Sequence, residues 1–161
     1  MWLVVIMVVA VALIIGPFMM MRPNPAQKRK EQLRINAAAK GIRFSVKTLP
    51  QQNTEIEKSA PIPVYFLAPG KHARDDDWLL LRAGYTHEMH FLNSWAWQGE
   101  SRASSLEQSV LQKYLPLLPE SVEAVSAGSK GVCVYWREQG GEQVLEQIIA
   151  LLTELKNLQG E

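Results

Sequence analysis

The sequence predicts an α+β fold that follows an apolar N-terminal helix. A run of uncharged residues, Trp2–Met21, opens the chain, and all charged side chains come after it. Short alternating or apolar runs separated by turn residues predict strands, and stripes with a 3.6-residue period predict helices. A length of 161 residues fits one modest domain plus an appendage. We therefore expect a transmembrane helix and then a mainly antiparallel sheet with helices packed on one face.

The composition excludes two broad classes of protein. With 47% hydrophobic residues and a formal net charge of +1, the chain is too apolar and too weakly charged for a disordered protein. Cys133 is the one cysteine, so a scaffold of intrachain disulfides is excluded as well.

Residues 1–21 have the length and composition of a transmembrane anchor. At about 1.5 Å per residue, Trp2–Met21 covers the roughly 30 Å hydrocarbon core of a bilayer. A cleaved signal peptide is the alternative, but no basic residue precedes the run and no small-residue cleavage site follows it. A retained anchor is therefore predicted.

Residues 22–41, which we call the basic neck, are predicted to form a basic juxtamembrane helix. Asn24 suits an N-cap, Pro25 the first helical position and Gly41 the stop, which predicts a helix over 26–40. Because basic residues beside a span stay cytoplasmic, we expect a single-pass protein of the bacterial inner membrane, with its N-terminus outside and residues 42–161 in the cytoplasm. The basic residues expected to contact anionic headgroups are Arg22, Lys28, Arg29, Lys30 and Arg34.

The start of the chain resembles a known family. The apolar run, then Met21-Arg22-Pro23, then Gln27-Lys28-Arg29-Lys30-Glu31, is similar to the beginning of YajC, the small single-pass accessory subunit of the bacterial preprotein translocase. The resemblance covers about residues 1–43. The whole chain is also similar to uncharacterised bacterial single-pass membrane proteins. These resemblances imply an accessory, non-catalytic role at the inner membrane.

Residues 42–161 are predicted to fold as the α+β domain. Capping-box spacing from Ser104 to Glu107 predicts a helix that ends at Pro116. Gly140-Gly141 precedes the longest amphipathic stripe, which predicts the last helix. Strands are predicted, in order, over residues 42–47, 62–68, 78–81, 89–97, 122–127 and 131–137. The first alternates apolar and polar residues, which predicts a half-buried strand, and the turn Gly128-Ser129-Lys130 predicts that the last two form a hairpin. This region is mildly acidic, and the basic neck lacks aromatic residues, which argues against a nucleic-acid partner.

The string His87-Glu88-Met89-His90 is the part of the sequence that most resembles a metal-binding or catalytic motif. Zinc proteases place two histidines four residues apart on one helix face, whereas His87 and His90 are three apart. If the segment is a strand, these two side chains point to opposite faces and cannot share a metal. No metal, cofactor or small-molecule ligand is therefore predicted. The alternative that stays open is a membrane-tethered enzyme, with or without a metal, that uses His87, His90 and Asp75–Asp77. Cys133 is expected to be a buried, inert thiol.

Two tryptophans in a polar segment suggest a contact surface. Trp95 and Trp97 lie between Asn93 and Gly99, and tryptophan is enriched at protein interfaces. Burial in the core is the competing interpretation for this pair. The sequence thus favours a non-enzymatic accessory or scaffold protein that presents its domain to a membrane or cytoplasmic protein, with Trp95 and Trp97 in contact with that partner.

Overall fold

The computed structural model describes residues 1–20, 24–50, 60–71, 76–84 and 91–159, with the backbone alone for 18–20. The chain divides into two compact units, Met1–Gln32 and Leu33–Glu161. The described elements are, in order, α1 (Trp2–Met20), α2 (Pro25–Ala39), β1 (Arg43–Lys47), β2 (Ile62–Leu67), β3 (Trp78–Arg82), β4 (Trp95–Gln98), α3 (Ser105–Tyr114), a 3₁₀ turn (Leu115–Leu117), β5 (Val122–Gly128), β6 (Gly131–Trp136) and α4 (Gly141–Leu158).

The first unit contains α1, which was expected to be a membrane anchor. In the part of the chain that the structure describes, no helix combines the length and the apolarity needed to cross a bilayer. The predictions of a transmembrane anchor at residues 1–21, of a single-pass N-out topology and of an inner-membrane location are therefore wrong.

The helix predicted after this segment is present, with nearly the predicted ends. Asn24 Oδ1 accepts the amide of Ala26 at 3.2 Å, and Gly41 adopts a left-handed φ of 79° just beyond the C-terminus of α2. The side chains of Leu33 and Ala37 are buried in the core of the second unit. That unit therefore begins at Leu33, within the predicted neck, rather than at residue 42.

The six strands form one sheet in the order β1-β2-β6-β5-β3-β4, and every pairing among the described strands is antiparallel. The α+β class and the antiparallel sheet are thus confirmed. Pro63 lies opposite Val46 of β1, while the pairing of β2 with β6 begins only at Val64. Pro63 therefore has a strand on one side only, which suits a residue that lacks a backbone N–H.

The main core lies between one face of the sheet and the helices α2, α3 and α4. Trp78, Tyr65 and Trp136 are its largest fully buried side chains on the sheet. The predicted stripe of α4 belongs to the same core, and its buried members are Val144, Leu145, Ile148, Leu151, Leu152 and Leu155. At the start of α3, the amide of Glu107 donates to Ser104 Oγ at 3.3 Å and the amide of Ser104 to Glu107 Oε2 at 2.7 Å, which confirms the capping box.

Candidate partner-binding surface

A tight turn positions β4 at one end of the sheet. The amide of Trp95 donates to the carbonyl of Leu92 at 2.8 Å, and Asn93 inside the turn has a left-handed φ of 48°. Asparagine tolerates this conformation better than most residues. The turn makes β4 begin at Trp95 rather than at the predicted residue 89, and residues 85–90 lie outside the described part of the chain.

Trp97 lies at the border between the main core and solvent. It is half-buried, and its ring meets Trp78 edge-on with centroids 5.6 Å apart. Phe91 packs against the same indole with centroids 4.9 Å apart. Aromatic pairs at such distances add about 0.5–1.5 kcal/mol beyond the area they bury. The partly exposed ring is therefore held in place by rigid neighbours on two sides.

Arg102 completes this surface with a positive charge. Its guanidinium carbon lies 5.7 Å from the centroid of Trp97, within cation–π range. The same guanidinium donates to the carbonyls of Gly99 at 2.6 Å and Ser101 at 3.0 Å, while the side chain stays exposed. We call Phe91, Leu92, Trp97 and Arg102 the Trp97 surface. No sequence pattern indicates Arg102, because it reaches the indole only through the turn after β4.

Trp95 has a different environment from Trp97 although both side chains lie on the same face of β4. Trp95 is 2% exposed, and the guanidinium of Arg82 stacks over it at 4.6 Å. Arg82 also donates to the carbonyls of Leu118, Pro119 and Val122, each at 3.0 Å. The tryptophan and the arginine thus fix the 3₁₀ turn to the sheet, and Trp97 is the member of the predicted pair that a partner can touch.

An ion pair between Arg34 and a buried carboxylate, which the sequence did not indicate, links α2 to the sheet. Both oxygens of Glu138 bind Arg34, from Nε at 2.6 Å and from Nη2 at 2.9 Å, and Oε1 also accepts the hydroxyl of Tyr65 at 2.9 Å. The Glu138 side chain is fully buried, and its backbone has a left-handed φ of 59°. Burial, followed by the hydrogen bond to Glu138, raises the pKa of Tyr65. The hydrogen bond to Glu138 also raises the pKa of Arg34.

The basic residues expected to touch headgroups therefore differ in environment. Arg34 is bound by Glu138, so its charge is neutralised within the domain. Lys28, Arg29 and Lys30 have exposed side chains in α2, whereas Arg22 lies outside the described residues. Their contact with lipid stays a prediction.

The candidate metal ligands are not brought together by the described structure. Asp75, His87 and His90 lie outside the described residues, and Asp76 is exposed. Asp77 Oδ1 instead accepts the amide of Ser129 at 2.7 Å, which closes the β5–β6 hairpin against β3. Among the residues that the structure describes, no group of three or more His, Cys, Asp or Glu side chains is placed to hold a metal.

Cys133 lies on the second face of the sheet, where Ile62, Val64 and Leu81 form a smaller cluster around it. Burial raises the pKa of its thiol. Because the thiolate is the reactive form, a raised pKa disfavours a nucleophilic role, in agreement with the expected buried thiol.

Comparisons of the chain with protein-family models, with curated proteins and with solved structures find no match. The resemblance of residues 1–43 to YajC therefore stays a prediction.

Proposed function

We propose that the chain is a non-enzymatic binding module, and that its α+β domain docks a protein partner on the Trp97 surface. The observation that carries this proposal is a half-exposed indole held by Trp78 and Phe91, with the exposed Arg102 stacked on it. Tryptophan and arginine are the residues most enriched among the few that dominate binding energies at protein interfaces.

Rigidity supports the same assignment. A flexible side chain loses about 0.5–1.5 kcal/mol of conformational entropy when an interface immobilises it. Trp97 is already held by two aromatic neighbours and by its strand, and Arg102 is held by two backbone carbonyls. Both side chains therefore lose little further freedom when a partner covers them.

Three acidic side chains among the described residues support a non-catalytic role. Glu138 binds Arg34 and Tyr65, and Asp77 caps a hairpin. Glu154 on α4 accepts Lys113 at 2.8 Å and Tyr114 at 2.6 Å, and these bonds lower its pKa. Each of these groups has a structural task that its contacts explain.

The proposal is tested by crosslinking beside the surface rather than on it. A photoreactive amino acid replaces Glu100, which is exposed and close to Arg102 in sequence, in the full chain in its native cells. We expect a crosslink to a protein that is lost in Trp97→Ala and in Arg102→Glu. The matched control carries the photoreactive group at Leu117, which is 56% exposed, and should not give that crosslink.

Two results would contradict the proposal. One is a crosslink from residue 100 that persists unchanged in both surface variants. The other is stoichiometric zinc in the purified chain that disappears when His87 and His90 are both replaced by alanine, which would favour the metal-dependent enzyme instead.

A further inference from the structure

Among the strands that the structure describes, β1 is the end strand opposite the Trp97 surface. β1 lies at the end of the strand order and pairs with β2 alone among the described strands. Phe44 and Val46 of β1 are 37% and 55% exposed, although their alternation with polar residues predicted a half-buried strand. An edge strand has unpaired N–H and C=O groups along its outer side, and natural proteins usually cover or blunt such an edge.

The two faces of β1 have different chemistry. The ring of Phe44 meets Tyr65 at 5.7 Å and lies under the guanidinium of Arg34 at 4.2 Å, so it faces the helices. Because side chains alternate along a strand, Val46 shares this face, while Arg43, Ser45 and Lys47 lie on the other. The outer edge therefore has an apolar face and a cationic face.

The described residues of the domain place no acidic partner on the cationic face. Arg43 is exposed and Lys47 is half-buried, with its Nζ 6.0 Å from the ring centroid of Phe66. Neither has an acidic partner among the described residues. By contrast, Lys40, just before β1, is paired with Glu146.

This charge pattern distinguishes between two occupants of the edge. If a second copy paired antiparallel through its own β1, centred on Ser45, Arg43 of each copy would lie opposite Lys47 of the other. Like charges directly opposite each other destabilise a strand pair, whereas opposite charges stabilise it by about 0.2–1 kcal/mol. The edge therefore disfavours its own copy and favours an acidic strand.

We propose that β1 accepts an extended segment of a protein partner in which acidic residues alternate with apolar ones. The segment adds a seventh strand to the sheet through backbone hydrogen bonds. Its acidic residues lie opposite Arg43 and Lys47, and its apolar residues cover Phe44 and Val46. This interaction is separate from docking on the Trp97 surface and does not depend on it.

The test uses a fluorescent peptide of sequence Glu-Val-Thr-Val-Glu with blocked ends, titrated with the full chain. We expect its fluorescence anisotropy to rise on binding, with an affinity that falls as salt is added. A peptide of the same composition with both glutamates adjacent should bind at least tenfold more weakly, because the alternation is lost. Equal binding of the two peptides, or no binding of either, would overturn the proposal.

Charge reversal gives the matched variant. The double variant R43E/K47E should lose the Glu-Val-Thr-Val-Glu peptide and gain a Lys-Val-Thr-Val-Lys peptide, which the wild type should not bind. Circular dichroism checks that the variant is folded, and the exchange of specificity is a result that an unfolded variant cannot give. Arg102→Glu should bind the acidic peptide as the wild type does, so a failure here is distinguishable from a failure of the Trp97 surface. A concentration-dependent dimer that Val46→Lys abolishes would show that a second copy occupies the edge, and would overturn the proposal.

Discussion

Replacing Glu138 measures the contribution of the buried carboxylate that joins α2 to the sheet. In Glu138→Ala the hydroxyl of Tyr65 loses the acceptor it binds at 2.9 Å. A buried polar group deprived of its partner costs about 1–3 kcal/mol. Arg34 is 40% exposed and can be rehydrated, so the loss of its ion pair with Glu138 adds about 1 kcal/mol or less. We therefore expect Glu138→Ala to lower the free energy of unfolding by about 1–4 kcal/mol.

The backbone at residue 138 makes a second variant informative. A left-handed conformation costs a residue other than glycine about 1–2 kcal/mol, and Glu138 has a φ of 59°. Glycine avoids this cost but loses about 0.5–1 kcal/mol through its larger conformational entropy in the unfolded chain. Glu138→Gly should thus be more stable than Glu138→Ala by about 0.5–1 kcal/mol, although both lack the carboxylate.

Urea unfolding followed by circular dichroism gives these free energies. A double-mutant cycle with Tyr65→Phe should yield a coupling of about 1.5–3 kcal/mol, the range for a hydrogen bond to a charged group. A coupling near zero would show that the Tyr65 hydroxyl gains nothing from the carboxylate. A glycine variant less stable than the alanine variant would refute the strain argument.

Three further changes test other parts of the domain. Gly131→Ala should lower the free energy of unfolding by about 3 kcal/mol, because a Cβ there would lie 2.0 Å from the carbonyl oxygen of Leu67 at a φ of 96°; a wild-type urea midpoint would contradict this. Ser104→Ala removes the cap of α3 and should cost about 1 kcal/mol, whereas Ser105→Ala should cost less; equal costs would count against the cap. Burial raises the pKa of Tyr65 above its usual value of about 10, so the unfolded chain releases this proton first and stability falls as pH rises past 10. Tyr65→Phe should reduce that fall by up to about 1.4 kcal/mol per pH unit. If the free energy of unfolding fell equally with pH in both proteins, Tyr65 would not be the group that causes the fall.

Local signals predicted the elements whose causes are local. The stripe of α4, the capping box at Ser104 and the hairpin that closes with Gly128 and Gly131 each depend on residues close in sequence. The structure confirms all three. The same local hydropathy misjudged Phe44 and Val46, because alternation identifies a strand without showing whether the strand lies at an edge or inside the sheet.

Contacts between distant residues were not predictable from one sequence. Tyr65 and Glu138 are 73 positions apart and share no pattern that would link them. Trp95 and Trp97 look equivalent in the sequence, and the difference between them depends on where Arg82 and Arg102 lie in three dimensions. The segment that contains the candidate surface was therefore predictable, whereas the exposure of Trp97 rather than Trp95 was not.

The most direct test of the proposed function is the affinity of the purified chain for the protein crosslinked beside Trp97. Calorimetry should show that Trp97→Ala weakens binding by about 30-fold, which corresponds to the 2 kcal/mol typical of a residue that dominates an interface. Trp97→Phe should bind more tightly than Trp97→Ala. Leu106→Ala, at a leucine that is 66% exposed on α3, should bind like the wild type. Equal affinities for the wild type and Trp97→Ala, with both proteins folded, would contradict the assignment of this surface as the binding site.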